Sequence, residues 1–298
     1  MPSQPCAATV WQHDISRIFD LQTLFRGRLT MYLQSYVMPI CTYSTKSGNA
    51  TIERLVGTAF LISSDGFFIT ASHVVTEAQA IVEGTASRIG IVGKDDNGKS
   101  TKSIVAQLEW YHTAPEPYDI TLGHSAYMSE TPFRLSDREV SVWQDVATYG
   151  YPVSAIGGDI SGLRLNLRAQ KGYVQRTTAP SDMHIGNHPN GLELSFLVSP
   201  GLSGAPIFIN HKDHMEVIAV AVASYKTETT EAELVEVLDD GAEYRERILR
   251  IEQFGFAHSL AGLKGWKHDG ISPFERSSQN RDATGELIGG VAASLPED

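Results

Sequence analysis

Ser203 stands in the segment Pro200-Gly201-Leu202-Ser203-Gly204-Ala205-Pro206. Glycines around a serine allow a tight turn and a close approach of backbone to a bound molecule. In such a turn the N–H groups of Gly201 and Ser203 can point at one spot, where they would hold a developing oxyanion. Pre-aimed donors of this kind lower an acyl-transfer barrier by ~3 kcal/mol each. The same residues also suit an ordinary surface Gly-Ser-Gly turn. A serine hydroxyl is a poor nucleophile until a base takes its proton. The candidate base is His73, which follows the apolar run Phe68-Ile69-Thr70 at the small-residue corner Ala71-Ser72. A lone histidine there can equally be structural. A base needs an acid that holds its tautomer and stabilises its charged form. Asp119, directly before the alternating strand Ile120-Thr121-Leu122, suits a buried carboxylate facing a histidine. A turn aspartate capping the strand entry is the plainer reading.

The context of Ser203 narrows the chemistry. A nucleophile elbow with Gly-x-Ser-x-Gly must launch a helix from its serine. Here Pro206 follows, and then the β-like run Ile207-Phe208-Ile209. The order His73, Asp119, Ser203 is one of the known orders for such a triad, with gaps of 46 residues (119 minus 73) and 84 residues (203 minus 119).

Two other patterns carry less. Residues Gly93 to Ser100 match the phosphate-loop spacing literally. Asp95 and Asp96 would repel phosphate, however, and Asp96-Asn97-Gly98 reads as a hairpin turn. The pairs His184/His188 and His211/His214 have loose metal-ligand spacing, and the second lies between two strand-like runs. No metal and no cofactor is expected.

The elements that must position these groups are mostly strands. Short apolar or alternating runs (Tyr36 to Tyr43, Leu55 to Ile62, Phe67 to Ala71, Arg88 to Val92, Glu139 to Tyr149, Leu192 to Val198, Ala205 to Ile209, Val217 to Ser224) are separated by Gly, Asn, Asp and Pro. That spacing predicts an all-β barrel or sandwich. Before them, apolar positions from Ile15 to Leu29 recur at helical spacing, with Asp14 as N-cap. Thr227 to Arg247 holds eight acidic residues and reads as a partly helical acidic insertion, most simply a solvated face. If it overhangs a cleft, it would favour basic substrate residues. The last 30 or so residues read as a tail.

The formal net charge of -11 argues against nucleic-acid binding through a basic surface. No apolar run approaches the ~18 residues of a membrane helix. Met1 to Thr9 lack the features of a signal peptide, and a bridge between Cys6 and Cys41 is not expected. The chain is therefore expected in the cytoplasm, with no membrane partner.

Gly57-Thr58-Ala59-Phe60-Leu61-Ile62, Thr70-Ala71-Ser72-His73-Val74-Val75, Asp119-Ile120-Thr121-Leu122, Gly150-Tyr151-Pro152, Gly172-Tyr173-Val174, the Ser203 segment and Gly255-Phe256-Ala257 follow one another in an order and spacing that resemble the trypsin-like (chymotrypsin-fold) serine peptidases. The likeness is greatest to their bacterial, disulfide-free branch, which includes Deg/HtrA-type protease domains, here without room for a PDZ module. The resemblance implies two packed six-stranded β-barrels, at 31–137 and 138–262 with the insertion at 227–247. The helical segment at 1–30 and the tail at 263–298 lie outside it.

It implies a serine endopeptidase acting on a protein or peptide, with His73, Asp119 and Ser203 as triad and Gly201 and Ser203 as oxyanion donors. Val222, Ala223 and Ser224, running on to Tyr225, would pair with substrate. Leu197 would form an apolar pocket base, with Gly255 on an open pocket wall and Glu228 or Glu231 as the nearest acids. Leu202 before the nucleophile leaves no acid for a freed N-terminal amine, so no activating cleavage is expected. A regulatory partner is compatible with this reading. A catalytically silent barrel serving as a binding or scaffold module is its rival.

Overall fold

The computed structural model describes residues 33–46, 49–96, 101–157, 164–182, 186–237 and 243–279. The helical segment expected at 1–30, Cys6, His184 and the chain beyond residue 279 lie outside them.

Six antiparallel strands close the first barrel: β1 (Val37–Lys46), β2 (Asn49–Leu61), β3 (Phe67–Thr70), β4 (Arg88–Asp96), β5 (Thr101–Thr113) and β6 (Thr121–Ser125), in the order β1-β2-β3-β6-β5-β4. The second sheet contains β8 (Asp145–Gly150), β11 (Arg168–Thr178), β12 (Gly191–Leu194), β13 (Pro206–Asn210), β14 (Met215–Val237) and β15 (Glu243–Ser259). Its order is β13-β8-β11-β12-β15-β14, and β14 returns to β13, so this sheet also closes. β7 (Phe133–Leu135) adds to β14 in parallel. A minor pair, β9 (Ile156–Gly157) with β10 (Arg164–Leu165), stands apart. The fold is thus the expected all-β pair of six-stranded barrels.

Aromatic side chains join the two barrels. Phe133 lies edge-on to Tyr36 and Phe60, with centroids 5.3 and 5.4 Å away, and packs 5.6 Å from Phe208 of the second barrel. Apolar residues of both barrels form one continuous core there, including Phe60, Phe68, Phe133, Phe208 and Val217. Cys41 is a buried free cysteine whose thiol is pushed up to about 12 by burial.

Three expectations are corrected. The acidic insertion is not helical. Residues from Met215 and from Glu243 form one long antiparallel ribbon in which Lys226–Val237 pairs with Glu243–Gln253. Alternating Thr, Val, Ile and Leu with charged residues favour extended backbone. The acids of β14 face arginines of β15: Glu233 accepts from Arg247 Nε at 3.0 Å and lies 3.8 Å from Arg245. Residues 226–236 and 243–253 are all exposed.

The tail reading fails for 263–279. Trp266 is buried, and α2 (Pro273–Ser278) is capped by Ser272. Ser277 Oγ accepts the Leu135 N–H at 3.0 Å, Arg276 pairs with Asp65 at 2.9 Å, and its guanidinium lies over Phe67. The segment therefore packs back onto the barrels.

The phosphate-loop pattern falls in a β4–β5 hairpin, with Asp96 opposite Thr101, and a strand rather than a helix follows. No helix opens there to receive a phosphate.

Candidate active site

α1 (Ser72–Val82) starts one residue after β3, a helix that the sequence reading did not separate from the strand. Its first amides need acceptors from elsewhere, since the methyl of Ala71 at the N-cap cannot accept a hydrogen bond. Asp119, two residues before β6, supplies one. Its Oδ1 accepts the His73 backbone N–H at 2.8 Å, and its Oδ2 lies 2.5 Å from His73 Nδ1. A carboxylate at a helix N-terminus is favoured by the helix dipole. The plainer reading of Asp119 was a strand-entry cap; it caps a helix instead, and holds the imidazole with the same carboxylate.

This contact assigns the tautomer. An ionised carboxylate only accepts, so His73 carries its proton on Nδ1 and its Nε2 has a free lone pair. Burial pushes the Asp119 carboxyl up, but the hydrogen bonds and charge of His73, with a contribution from His258, outweigh it and leave the carboxyl below its ordinary value. Asp119 therefore stays ionised at neutral pH.

Ser203 comes from the second barrel. The turn Ser199–Leu202 closes with the Leu202 N–H on the Ser199 carbonyl at 2.9 Å, with Pro200 and then Gly201 at φ +93° in its centre. That is type II turn chemistry. The Pro200 carbonyl accepts the Val153 N–H at 2.8 Å. Carbonyl and N–H of a trans peptide point opposite ways, so the Gly201 N–H is turned from Val153. The amides of Leu202, Gly204 and Ala205 are all bonded within the fold. Those of Gly201 and Ser203 have no acceptor among the described residues. These are the two N–H groups expected from the sequence to face an oxyanion.

Gly204, at φ +86°, could not carry a side chain: a Cβ would lie 2.2 Å from the Thr58 carbonyl and 2.3 Å from Thr70 Oγ1. This close approach seats the serine loop against β2 and the start of α1. Ser203 accepts the Thr58 N–H at 2.9 Å, and its Oγ donates to the Val222 carbonyl at 3.3 Å. Among the described residues no hydrogen bond joins Ser203 to His73.

Thr58 was quoted in the motifs without a role, and it ties the site together. It is fully buried; its hydroxyl donates to the Gly201 carbonyl at 2.7 Å and accepts the Tyr151 N–H at 3.1 Å. Thr58→Val keeps the shape and leaves both of those groups unpaired. We expect a loss of about 2–4 kcal/mol of stability, read as urea midpoints, and slower reaction of Ser203 with a covalent probe. A variant as stable and as reactive as wild type would show that the hydroxyl positions nothing.

The substrate-facing expectations divide. Val222, Ala223 and Ser224 lie in β14, and Ser224 Oγ accepts the Val198 N–H at 2.8 Å and donates to its carbonyl at 3.1 Å. Leu197 is not a buried pocket base. It is 37% exposed, because its neighbour Val198 takes the inward position. Gly255 does not face open space: a Cβ there would lie 2.3 Å from the Phe196 carbonyl, so the 196–198 segment covers it. Glu228 is ion-paired with Lys226 on the exposed ribbon. His211 and His214 sit in the β13–β14 hairpin with stacked rings, bonded to Glu216 and Asp213 respectively. His188 bonds to His258 and Tyr225, and no cluster suited to a metal ion occurs among the described residues.

The chain is similar to several known proteins. Protease Do-like 2 of the Arabidopsis thaliana chloroplast is 26% identical over 211 residues, 67% of this chain. The chain spans 30% of that protein's length. The MamO protease domain of Magnetospirillum magneticum in its apo form is 15% identical, with a TM-score of 0.48 over 81% of this chain and 100% of that one. The active form of the Rv3671c protease of M. tuberculosis is 14% identical, also at 0.48, over 97% and 100% of the two chains. The family model for the trypsin-like peptidase domain matches residues 57–220, a span that holds His73, Asp119 and Ser203, and the chain belongs to that family.

Proposed function

We propose that the protein is a serine endopeptidase that cleaves peptide bonds through an acyl-enzyme. The observation that carries this reading is the double hold of Asp119 on His73, which fixes the proton on Nδ1 and leaves the Nε2 lone pair to act as the base. His73 Nε2 takes the Ser203 proton as Oγ attacks the substrate carbonyl carbon. The Gly201 and Ser203 N–H groups receive the oxyanion. As the tetrahedral species collapses, the C–N bond breaks and the same proton passes to the leaving amine. A water, deprotonated by His73, then releases the acid product. Ser203 Oγ must leave the Val222 carbonyl for this, a rotation about one side-chain bond.

A fluorophosphonate probe tests the reading on the native protein. Peptide mapping should place the label on Ser203. Proteolysis of an unfolded protein substrate with no label, or with label on another residue, would overturn the assignment. The rival barrel without catalysis predicts neither label nor cleavage.

Substrate backbone is proposed to add as a strand along Val222–Tyr225, which contributes affinity with little sequence selection. A preference for Arg or Lys before the cut needs a buried carboxylate, because an unpaired buried cation is costly. Leu197 supplies none, and Glu228 is engaged on the ribbon. Library profiling should therefore show a graded choice among uncharged residues, with ~1–3 kcal/mol per methylene at most. A strict requirement for Arg or Lys would show that an acid reaches the pocket.

A further inference from the structure

Behind the Asp119 carboxylate lie two imidazoles that the proposed reaction does not use. His258, on β15 and 1% exposed, accepts the Asp119 backbone N–H on Nδ1 at 3.0 Å. Its Nε2 lies 3.1 Å from Nδ1 of His188, in the loop before β12. Nε2 of His188 lies 2.9 Å from the Tyr225 hydroxyl on β14. Phe256 packs edge-on against both imidazoles and against Tyr225, and Tyr118 packs edge-on against His258.

The proton positions along this chain follow from one group. A backbone amide can only donate, so Nδ1 of His258 is bare. A neutral imidazole has one N–H, so His258 carries it on Nε2 and donates to His188 Nδ1. That leaves the His188 proton on Nε2, donating to Tyr225 Oη. A second proton on either Nδ1 would set two donors face to face. Burial lowers His258 to about 4; the Asp119 charge opposes this, and His188 and His73 add to it. His258 is therefore neutral at neutral pH. The ionisable groups facing the chain are Asp119 and Tyr118 before β6, His73 on α1 and Tyr225 on β14.

We infer that His258 and His188 are positioning residues that connect Tyr225, at the end of the proposed substrate-pairing stretch Val222–Tyr225, to the Asp119–His73 pair. This rests on the peptidase reading. Tyr225 directly follows Ser224, so a peptide that adds to β14 far enough to order Tyr225 also orders His188, then His258, then the amide of the residue that orients the base. Occupancy several residues before the cut thereby improves the geometry at the cut. The effect appears in kcat, not only in KM.

Purified full-length protein and its His188 variants test this with peptides that carry two or four residues before the scissile bond. In the wild type, lengthening should raise kcat. His188→Phe removes the acceptor for His258 Nε2–H; it should lower kcat for the longer peptide by about tenfold and abolish the gain with length. His188→Asn, whose Oδ1 can accept the same N–H but which has no donor where Nε2 stood, should restore kcat and leave the gain with length lost. A merely structural His188 would move thermal stability and leave the kcat of folded protein and its length dependence unchanged, which would overturn the inference. Nitrogen-15 NMR gives an independent reading: protons on Nε2 of both rings at neutral pH support the chain, and a proton on Nδ1 of either overturns it. If the wild type cleaves neither peptide, the peptidase reading fails and this inference with it. If the wild type cleaves both and His188→Phe matches it, the inference alone fails.

Discussion

Ser203→Ala should lower kcat/KM for a peptide substrate by about a million-fold, and His73→Ala should do nearly the same. Without Oγ there is no covalent step for His73 to assist. Without His73 the hydroxyl keeps its proton. Each loss therefore contains the other, and the double variant should be hardly slower than either single one. Residual catalysis should come from the Gly201 and Ser203 N–H groups and from binding, roughly 10³–10⁴-fold over water. The fold should not be the cause of the loss. Ser203→Ala gives up only the 3.3 Å bond from Oγ to the Val222 carbonyl, worth about 1 kcal/mol or less. Unfolding midpoints for both variants should stay close to wild type. A Ser203→Ala protein that hydrolyses at the wild-type rate would remove the nucleophile from the proposal. Additive losses in the double variant would mean that the two residues do not act as a unit.

The barrels were legible because their strands alternate and are separated by turn residues, so period and punctuation agree. The three-residue constellation was proposed from order and gaps; the structure joins Asp119 to His73 and ties the Ser203 carbonyl to the Thr58 N–H of β2. The failures share a physical origin. Residues Thr227 to Arg247 were read by charge, and charge does not distinguish a solvated helix from a solvated ribbon. The signal that could have done so was the run of β-branched residues, with Arg245, Arg247 and Arg250 facing an acidic strand. The segment after Leu263 is short and weakly patterned, and tertiary contacts such as Arg276 with Asp65 fix it to the barrels. The resemblance assigns the pocket base to Leu197 by its distance along the chain from Ser203 (203 minus 197, six residues). Counting carries no information on which of two successive extended residues points inward, and Val198 takes that position. Thr58 and His258 lay inside or beside quoted motifs, but their partners, Gly201 and Asp119, are 143 and 139 residues away in the chain. No local pattern announces a contact of that range.

Asp119→Asn should cost about 10⁴-fold in kcat/KM with little change in stability, and the geometry says why asparagine cannot substitute. The carboxylate accepts two hydrogen bonds from one residue: the His73 amide on Oδ1 at 2.8 Å and Nδ1–H on Oδ2 at 2.5 Å. Asparagine has one acceptor and one donor in those places. If its oxygen keeps the His73 amide, its NH2 faces Nδ1, which must then be the bare nitrogen. The imidazole proton moves to Nε2, and the base now presents a donor where it must accept. The flipped amide sets its NH2 against the His73 N–H, two donors in contact at the start of α1. The backbone contact thus selects the tautomer that cannot work. The lost charge at the helix N-terminus should cost only ~0.3–1 kcal/mol, so a folded but inactive protein is expected. Rates on a peptide substrate, unfolding midpoints and the nitrogen-15 pattern of His73, with its proton moved from Nδ1 to Nε2, check the three parts of the prediction. An asparagine variant that keeps a tenth or more of wild-type kcat/KM would show that Asp119 caps the helix and does not orient the base.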